Sequence, residues 1–218
     1  LGDVYKRQGI YGACFKIAVV MVMFTQAFRY AYEPFIFAKN KSDDNKKAYS
    51  EAMKYFIIFA LFIFLGVMFY IDILKYFVGP AYYPGLRVVP IVMLGELFFG
   101  IYFNLSLWYK LIDQTRWGAY FSTIGCVATV SIILLFGPSY GYMACAWASF
   151  FCNLLMMLLS YFVGQKKFPI EYDLNSAFLY FGVATVLYVA GMALPIQSEW
   201  LRLGYRTILL GAVSYTHL

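Results

Sequence analysis

Charge is scarce in this chain. Of its 218 residues, 13% are Asp, Glu, Lys or Arg, about half the share found in ordinary soluble domains, and this excludes a water-soluble globular fold. Histidine occurs once, as His217, so a histidine-based metal centre or general base has no material to be built from. Cys14, Cys126, Cys145 and Cys152 stand in apolar text without CxxC spacing. They read as small packing residues rather than as a disulfide framework or metal ligands. No Gly-rich phosphate-binding motif occurs, and the pattern calls for no cofactor.

Long apolar runs fill the chain instead. The run 54–78 carries no charge between Lys54 and Asp72. About 20 such residues span the roughly 30 Å of bilayer hydrocarbon as a helix. Similar runs cover 10–38, 86–111, 117–136, 141–164 and 176–195, and a shorter one covers 201–213. The pattern predicts an all-α polytopic membrane protein: an antiparallel helix bundle of about six full helices plus a truncated one. Aromatic residues make up 22% of the chain. Tyr82, Tyr83, Trp108, Tyr109 and Trp117 fall near helix ends, where amphipathic rings favour the water–lipid boundary.

The net charge of +6 does not point to nucleic acid, because the basic residues gather in short loops between apolar runs. Lys39, Lys41, Lys46, Lys47, Lys54, Lys110, Arg116, Lys166 and Lys167 fall on one side of an alternating topology, and Lys75, Arg87, Arg202 and Arg206 on the other. The richer side is cytoplasmic by the positive-inside rule, so the first helix runs from outside to inside. Gly79, Pro80, Pro84, Gly85, Gly137 and Pro138 mark short outer turns. Gly141, Cys145 and Ser149 recur every four residues, a stripe along which helix backbones can approach. The polar ends 1–8 and 214–218 read as translated adaptor text flanking a bundle over 9–213, and the natural chain is expected to continue in both directions.

Ionisable groups within apolar runs are the candidate functional residues, since each costs roughly 2.5–3.5 kcal/mol to insert. The first helix carries Lys16, Gln26, Arg29 and Glu33. At 100° per residue the last three share one face, and Arg29 and Glu33 have the spacing of an i,i+4 pair. Pro34 comes next and removes a backbone donor, which predicts a kink. The third run carries Glu96 and Asn104 without a basic residue four positions from Glu96. Asp72 lies within reach of Lys75 as an interfacial pair, and Asp113 reads as a loop charge.

The text around these residues, GIYGACFKIAVVMVMFTQAFRYAYEPFIFAKNKS, resembles a segment of polysaccharide flippases of the multidrug/oligosaccharidyl-lipid/polysaccharide exporter superfamily. The matching positions are Gly9, Tyr11, Lys16, Ile17, Ala18, Phe24, Ala27, Phe28, Ala31, Pro34, Phe35 and Phe37. GYMACAWASFFCNLL is similar to a later helix of that family, from which Trp147 departs. The resemblance covers nearly all of 9–213. It implies a C-terminal half, with the N-terminal half of the same chain as its missing partner, in a two-bundle transporter around a central cavity.

The same resemblance implies a non-enzymatic flippase in the bacterial cytoplasmic (inner) membrane. Its expected activity is to move undecaprenyl-diphosphate-linked oligosaccharide for O-antigen, capsule or exopolysaccharide by alternating access. Arg29 and then Lys16 are the candidates for holding the diphosphate, with Gln26, Glu33, Glu96 and Asn104 lining the lumen. A cation-coupled multidrug exporter would use Glu96 instead, and a peptidoglycan-precursor flippase would differ in the sugar. An embedded polymerase or acyltransferase needs a large outer loop, and the outer turns are short.

The charge asymmetry sets a topology that labelling checks. Single cysteines at Ser42 and Gln165 are expected to react only with reagents that enter the cytoplasm, and one at Ser139 from outside. External labelling at Ser42 reverses the orientation.

Overall fold

The computed structural model describes residues 2–39, 45–193 and 199–217, with side chains over 8–38, 46–193 and 201–211. Ser42 and the rest of 40–44, with Pro195 and the rest of 194–198, lie outside the described residues. The helices are α1 (Gly2–Lys39), α2 (Asn45–Phe69), the short α3 (Ile71–Leu74), α4 (Val88–Leu105), the short α5 (Leu107–Leu111), α6 (Arg116–Tyr140), α7 (Tyr142–Lys167), α8 (Leu174–Ala193) and α9 (Glu199–His217). Six spans among the described residues are long and apolar enough to cross a membrane. No strand occurs among them. The molecule is a multi-pass helical membrane protein.

Several boundaries depart from the sequence reading, each for a local reason. The run 54–78 is not one helix. Helix α2 begins nine residues earlier and ends at Phe69, after which α3 and a 3-10 turn over Lys75–Phe77 carry the chain along the outer surface. The polar stretch with Lys46, Lys47, Glu51 and Lys54 thus prolongs α2 beyond its apolar run. Pro138 does not end α6, which runs on to Tyr140. The turn is made by Gly141, whose φ of 56° suits glycine. Likewise 86–111 breaks at Ser106 into α4 and α5, with the Ser106 hydroxyl donating to the Phe103 carbonyl at 2.6 Å.

Helix α4 is the hub, packing against α7, α1 and α2, while α6 covers α7 and α8 covers α2. Short connections alternate the helix directions, so α1 and α4 run parallel. Close approach depends on paired glycines and aromatics. Phe56 of α2 is fully buried, stacks on Phe24 at 5.5 Å and meets Phe28 edge-on at 5.0 Å. Its ring tip occupies the space a Cβ on Gly100 of α4 would need. Gly164 leaves room in the same way for Trp108, 2.8 Å from where its Cβ would stand. In α7 the buried small residues are Ala144, Ala146 and Ala148, with Ser160 and Gly164 further on. The tight seam therefore runs beside Gly141, Cys145 and Ser149. Large side chains cover the outer faces of α6 and α8, as at Leu134, 71% exposed, and Phe178, 74% exposed. Such surfaces are stable against lipid tails and not against water.

Helix α9 is held chiefly by Arg206, with Arg202 on Asp72, Thr207 bonded to the Tyr70 hydroxyl at 2.7 Å, and Leu209 and Leu210 against the core. Arg206 is 4% exposed. It donates to the Phe69 carbonyl at the end of α2 (3.0 Å), to the Gly191 carbonyl near the end of α8 (3.0 Å) and to Asp72 (2.8 Å). Lys75 and Arg202 also flank Asp72, at 3.8 and 3.2 Å. The predicted Asp72–Lys75 pair is thus the weakest arm of a larger cluster. At the opposite membrane face, outside the spans, Asp173 accepts from the Ser176 amide and starts α8 as its cap. The bonds from Ser176 hold the Asp173 carboxyl below the usual range.

Overpacking tests the α2–α4 contact. Gly100→Leu is expected to lower stability by about 1–3 kcal/mol, read as reduced melting temperature in detergent, and Phe56→Ala in the same chain is expected to recover part of it. An unchanged melting temperature for Gly100→Leu removes this contact from the core.

Candidate functional site

The charged face of α1 lies beside the α4–α5 break. There Arg29 and Glu33 stand one turn apart, with Nε to Oε2 at 3.7 Å. The other oxygen of Glu33 accepts from Lys110 at the end of α5. Both cations rest on one ring: the Arg29 guanidinium carbon lies 4.5 Å from the Phe103 centroid and the Lys110 nitrogen 4.7 Å from it. The side chains of Arg29, Glu33 and Lys110 are 39%, 26% and 24% exposed. Two positive charges thus share one aromatic face, bridged by a single carboxylate, with one side left uncovered by the described residues. An aromatic face attracts cations and strips part of their hydration. The excess charge is positive, so the arrangement suits an anion.

Sequence alone points to two of these four residues. In the linear text Lys110 reads as a loop charge and Phe103 as one more apolar residue. Seven residues separate them, which is two helical turns, so their common face is legible. Their meeting with α1 is not, because nothing in a linear pattern says which helices become neighbours.

The remaining candidates scatter. Gln26 is half-buried one turn before Arg29. Lys16 is exposed, in a cleft of about 630 Å³ between the outer half of α1 and the segment containing Leu74, Phe77 and Tyr82. Thirteen residues of helix separate it from Arg29, about 20 Å, so one diphosphate cannot touch both. Glu96 is half-buried and has no ion pair or hydrogen bond among the described residues. The Tyr11 hydroxyl of α1 and Cys145 of α7 lie within electrostatic reach of one another and Glu96 within reach of Tyr11. Asn104 is 3% exposed among the described residues and donates its amide to the Gly100 carbonyl at 3.0 Å, while its Oδ1 is buried without a hydrogen-bond partner.

A second concavity of about 510 Å³ lies between α2, α4, α7 and α8, lined by apolar side chains such as Ile57, Ile101, Leu105, Met157 and Phe181. Ile101 and Leu105 point away from Phe103 at 100° per residue, so this groove and the charged cluster occupy different sides of α4. Among the described residues no cluster of His, Cys, Asp and Glu could hold a metal ion.

No protein-family model matches the sequence, and no curated protein is similar to it. Among solved structures the fold is similar to the lipid II flippase MurJ in an inward closed conformation, at a TM-score of 0.75 and 14% identity over 94% of this chain. The chain spans 46% of that structure, so less than half of it. The likeness establishes the fold, an all-α bundle of membrane-spanning helices.

The Glu33–Lys110 contact joins α1 to α5 and is measurable as a coupling. A double-mutant cycle with Glu33→Gln and Lys110→Met is expected to give about 0.5–1 kcal/mol in unfolding free energy. Additive effects of the two changes would remove the contact.

Proposed function

We propose that this chain is one bundle of a flippase that carries a diphosphate-linked glycan on a polyprenyl tail across the bacterial cytoplasmic membrane, without catalytic chemistry. The observation that carries the reading is the cation pair Arg29 and Lys110 on Phe103, within a membrane-spanning bundle and partly exposed. Cations inside a membrane are kept where they meet an anion or a polar path. A guanidinium offers a planar fork of donors that fits phosphate oxygens, and an ammonium adds a point charge. The resemblance of the α1 text to polysaccharide flippases and the fold likeness to a lipid II flippase support the same class. They differ in the sugar, and the cluster reads the diphosphate common to both.

The bundle's geometry suggests two stations. Arg29 and Lys110 lie near the cytoplasmic end, where the substrate is loaded. Lys16 stands about 20 Å further out, in a cleft of its own, and would receive the same phosphates once access reverses. Rocking against a second bundle would carry the diphosphate from one to the other.

A cation-coupled exporter of amphiphilic cations is the second reading, favoured by the unpartnered Glu96 beside α1. The net positive charge of the inner cluster opposes it, since a cationic substrate would be repelled on entry.

Export assays on the intact transporter test the reading. Arg29→Ala is expected to abolish glycan export while protein remains in the membrane, and Arg29→Lys to rescue part of it, keeping charge but losing the fork. Wild-type export by Arg29→Ala/Glu33→Ala would reduce Arg29 to a partner of Glu33, because removing both members of a pair costs less than stranding one.

A further inference from the structure

The carboxylate of Glu33 sits where a phosphate would. It bridges the two cations proposed to hold the substrate, with Arg29 at 3.7 Å and Lys110 in direct hydrogen bond. Resting on the diphosphate reading, we propose that Glu33 is a built-in counter-ion, which holds Arg29 and Lys110 in the empty protein and is displaced by the substrate diphosphate, so that loading unlatches α1 from α5.

Charge counting supports exchange rather than addition. Arg29 and Lys110 supply two positive charges and Glu33 one negative charge, so the empty cluster keeps one positive charge to attract an anion. A diphosphate esterified at both ends carries one ionised oxygen on each phosphorus, two negative charges in all. It neutralises the cation pair fully, which Glu33 cannot. With Glu33 still in place the sum would be negative, so the carboxylate is the group that leaves. The ring beneath restricts the options further. Phe103 covers one side of both cations, leaving Glu33 and an incoming anion to compete for the other.

Glu33 also has somewhere to go. Its side chain is already about a quarter exposed. Pro34, the next residue, has no N–H to give to the Tyr30 carbonyl, so α1 lacks one intrahelical bond at this level. The inner end of α1 can therefore turn once its tie to Lys110 is released. Other contacts of α1 at this level are apolar: Phe28 meets Phe56 of α2 edge-on, and Tyr32 and Ile36 pack in a cluster with Leu107 of α5. Such packing tolerates small rotations better than a charge-assisted hydrogen bond does. Glu33 is thus a positioning residue: it aligns both cations before substrate arrives and reports its arrival to α1.

Binding to the intact protein in lipid nanodiscs separates the possibilities, with a short-chain prenyl diphospho-N-acetylglucosamine diester as probe. Glu33→Gln, which keeps shape and loses charge, is expected to bind the diester about three- to tenfold more tightly than wild type, because the internal competitor is gone. Glu33→Asp, too short to span both cations, is expected to fall between. Lys110→Met is expected to weaken binding about tenfold and to erase the gain when combined with Glu33→Gln. Equal affinities for wild type and Glu33→Gln, or a gain that survives Lys110→Met, would overturn the latch while leaving the diphosphate reading in place. Failure of wild type and every variant to bind the diester would overturn both.

Discussion

Hydrocarbon offers no hydrogen bonds, so a charge within a bilayer-spanning bundle must find its partner inside the protein. That demand shapes this molecule at both ends. On the outer side it gathers Lys75, Arg202 and Arg206 around Asp72. On the inner side it sets Arg29 and Lys110 on either oxygen of Glu33. The two differ at one cation: Arg206 is buried and gives its donors to two backbone carbonyls, a carboxylate and the Met192 sulfur, while Asp72, Lys75 and Arg202 are as partly exposed as Glu33 and Lys110. In the inner cluster Lys110 is tied to a carboxylate and Arg29 pairs with the same one. A cation committed to backbone carbonyls fastens helices, and one held by a carboxylate can exchange partners.

Between the clusters the bundle is held by shape. Aliphatic side chains gain little from each other over lipid, so helices associate through close packing. Gly100 under Phe56 and Gly164 under Trp108 are places where one helix yields volume and its neighbour fills it. The first joins α4 to α2, whose Phe56 ring also meets Phe24 and Phe28 of α1, and the second joins α7 to α5. Helix α4 packs against α1 besides, which brings Phe103 beneath Arg29.

The fold class was legible because apolar length is a direct physical requirement of spanning a membrane. The order and approximate extent of the spans come from the same requirement. Boundaries were less so. Residues 45–53 are polar and still helical, because a helix needs no lipid to continue where its own side chains are good helix formers. Pro138 marks a turn by habit, yet near the end of α6 a missing donor costs little and Gly141 supplies the reversal. Arg29 and Glu33 could be read as a pair from their spacing alone. The contact of Asn104 was not legible, since an amide donor in apolar text can turn to the preceding turn of its own helix. Lys110 could not have been assigned to α1, because 77 residues separate it from Glu33 and only the packed bundle joins them.

Arg206 also dictates a sequence in time. Its acceptor at Phe69 lies 137 residues earlier in the chain. At a synthesis rate of about 5–20 residues per second, the Phe69 carbonyl waits about 7–27 seconds before Arg206 exists. During that interval Asp72 and Lys75 balance each other's charge, and the Phe69 carbonyl lacks the donor that later ties it to Gly191. The arrival of α9 therefore adds a link between the ends of α2 and α8 that neither helix makes for itself, and a nascent chain that stalls before it is left without that link.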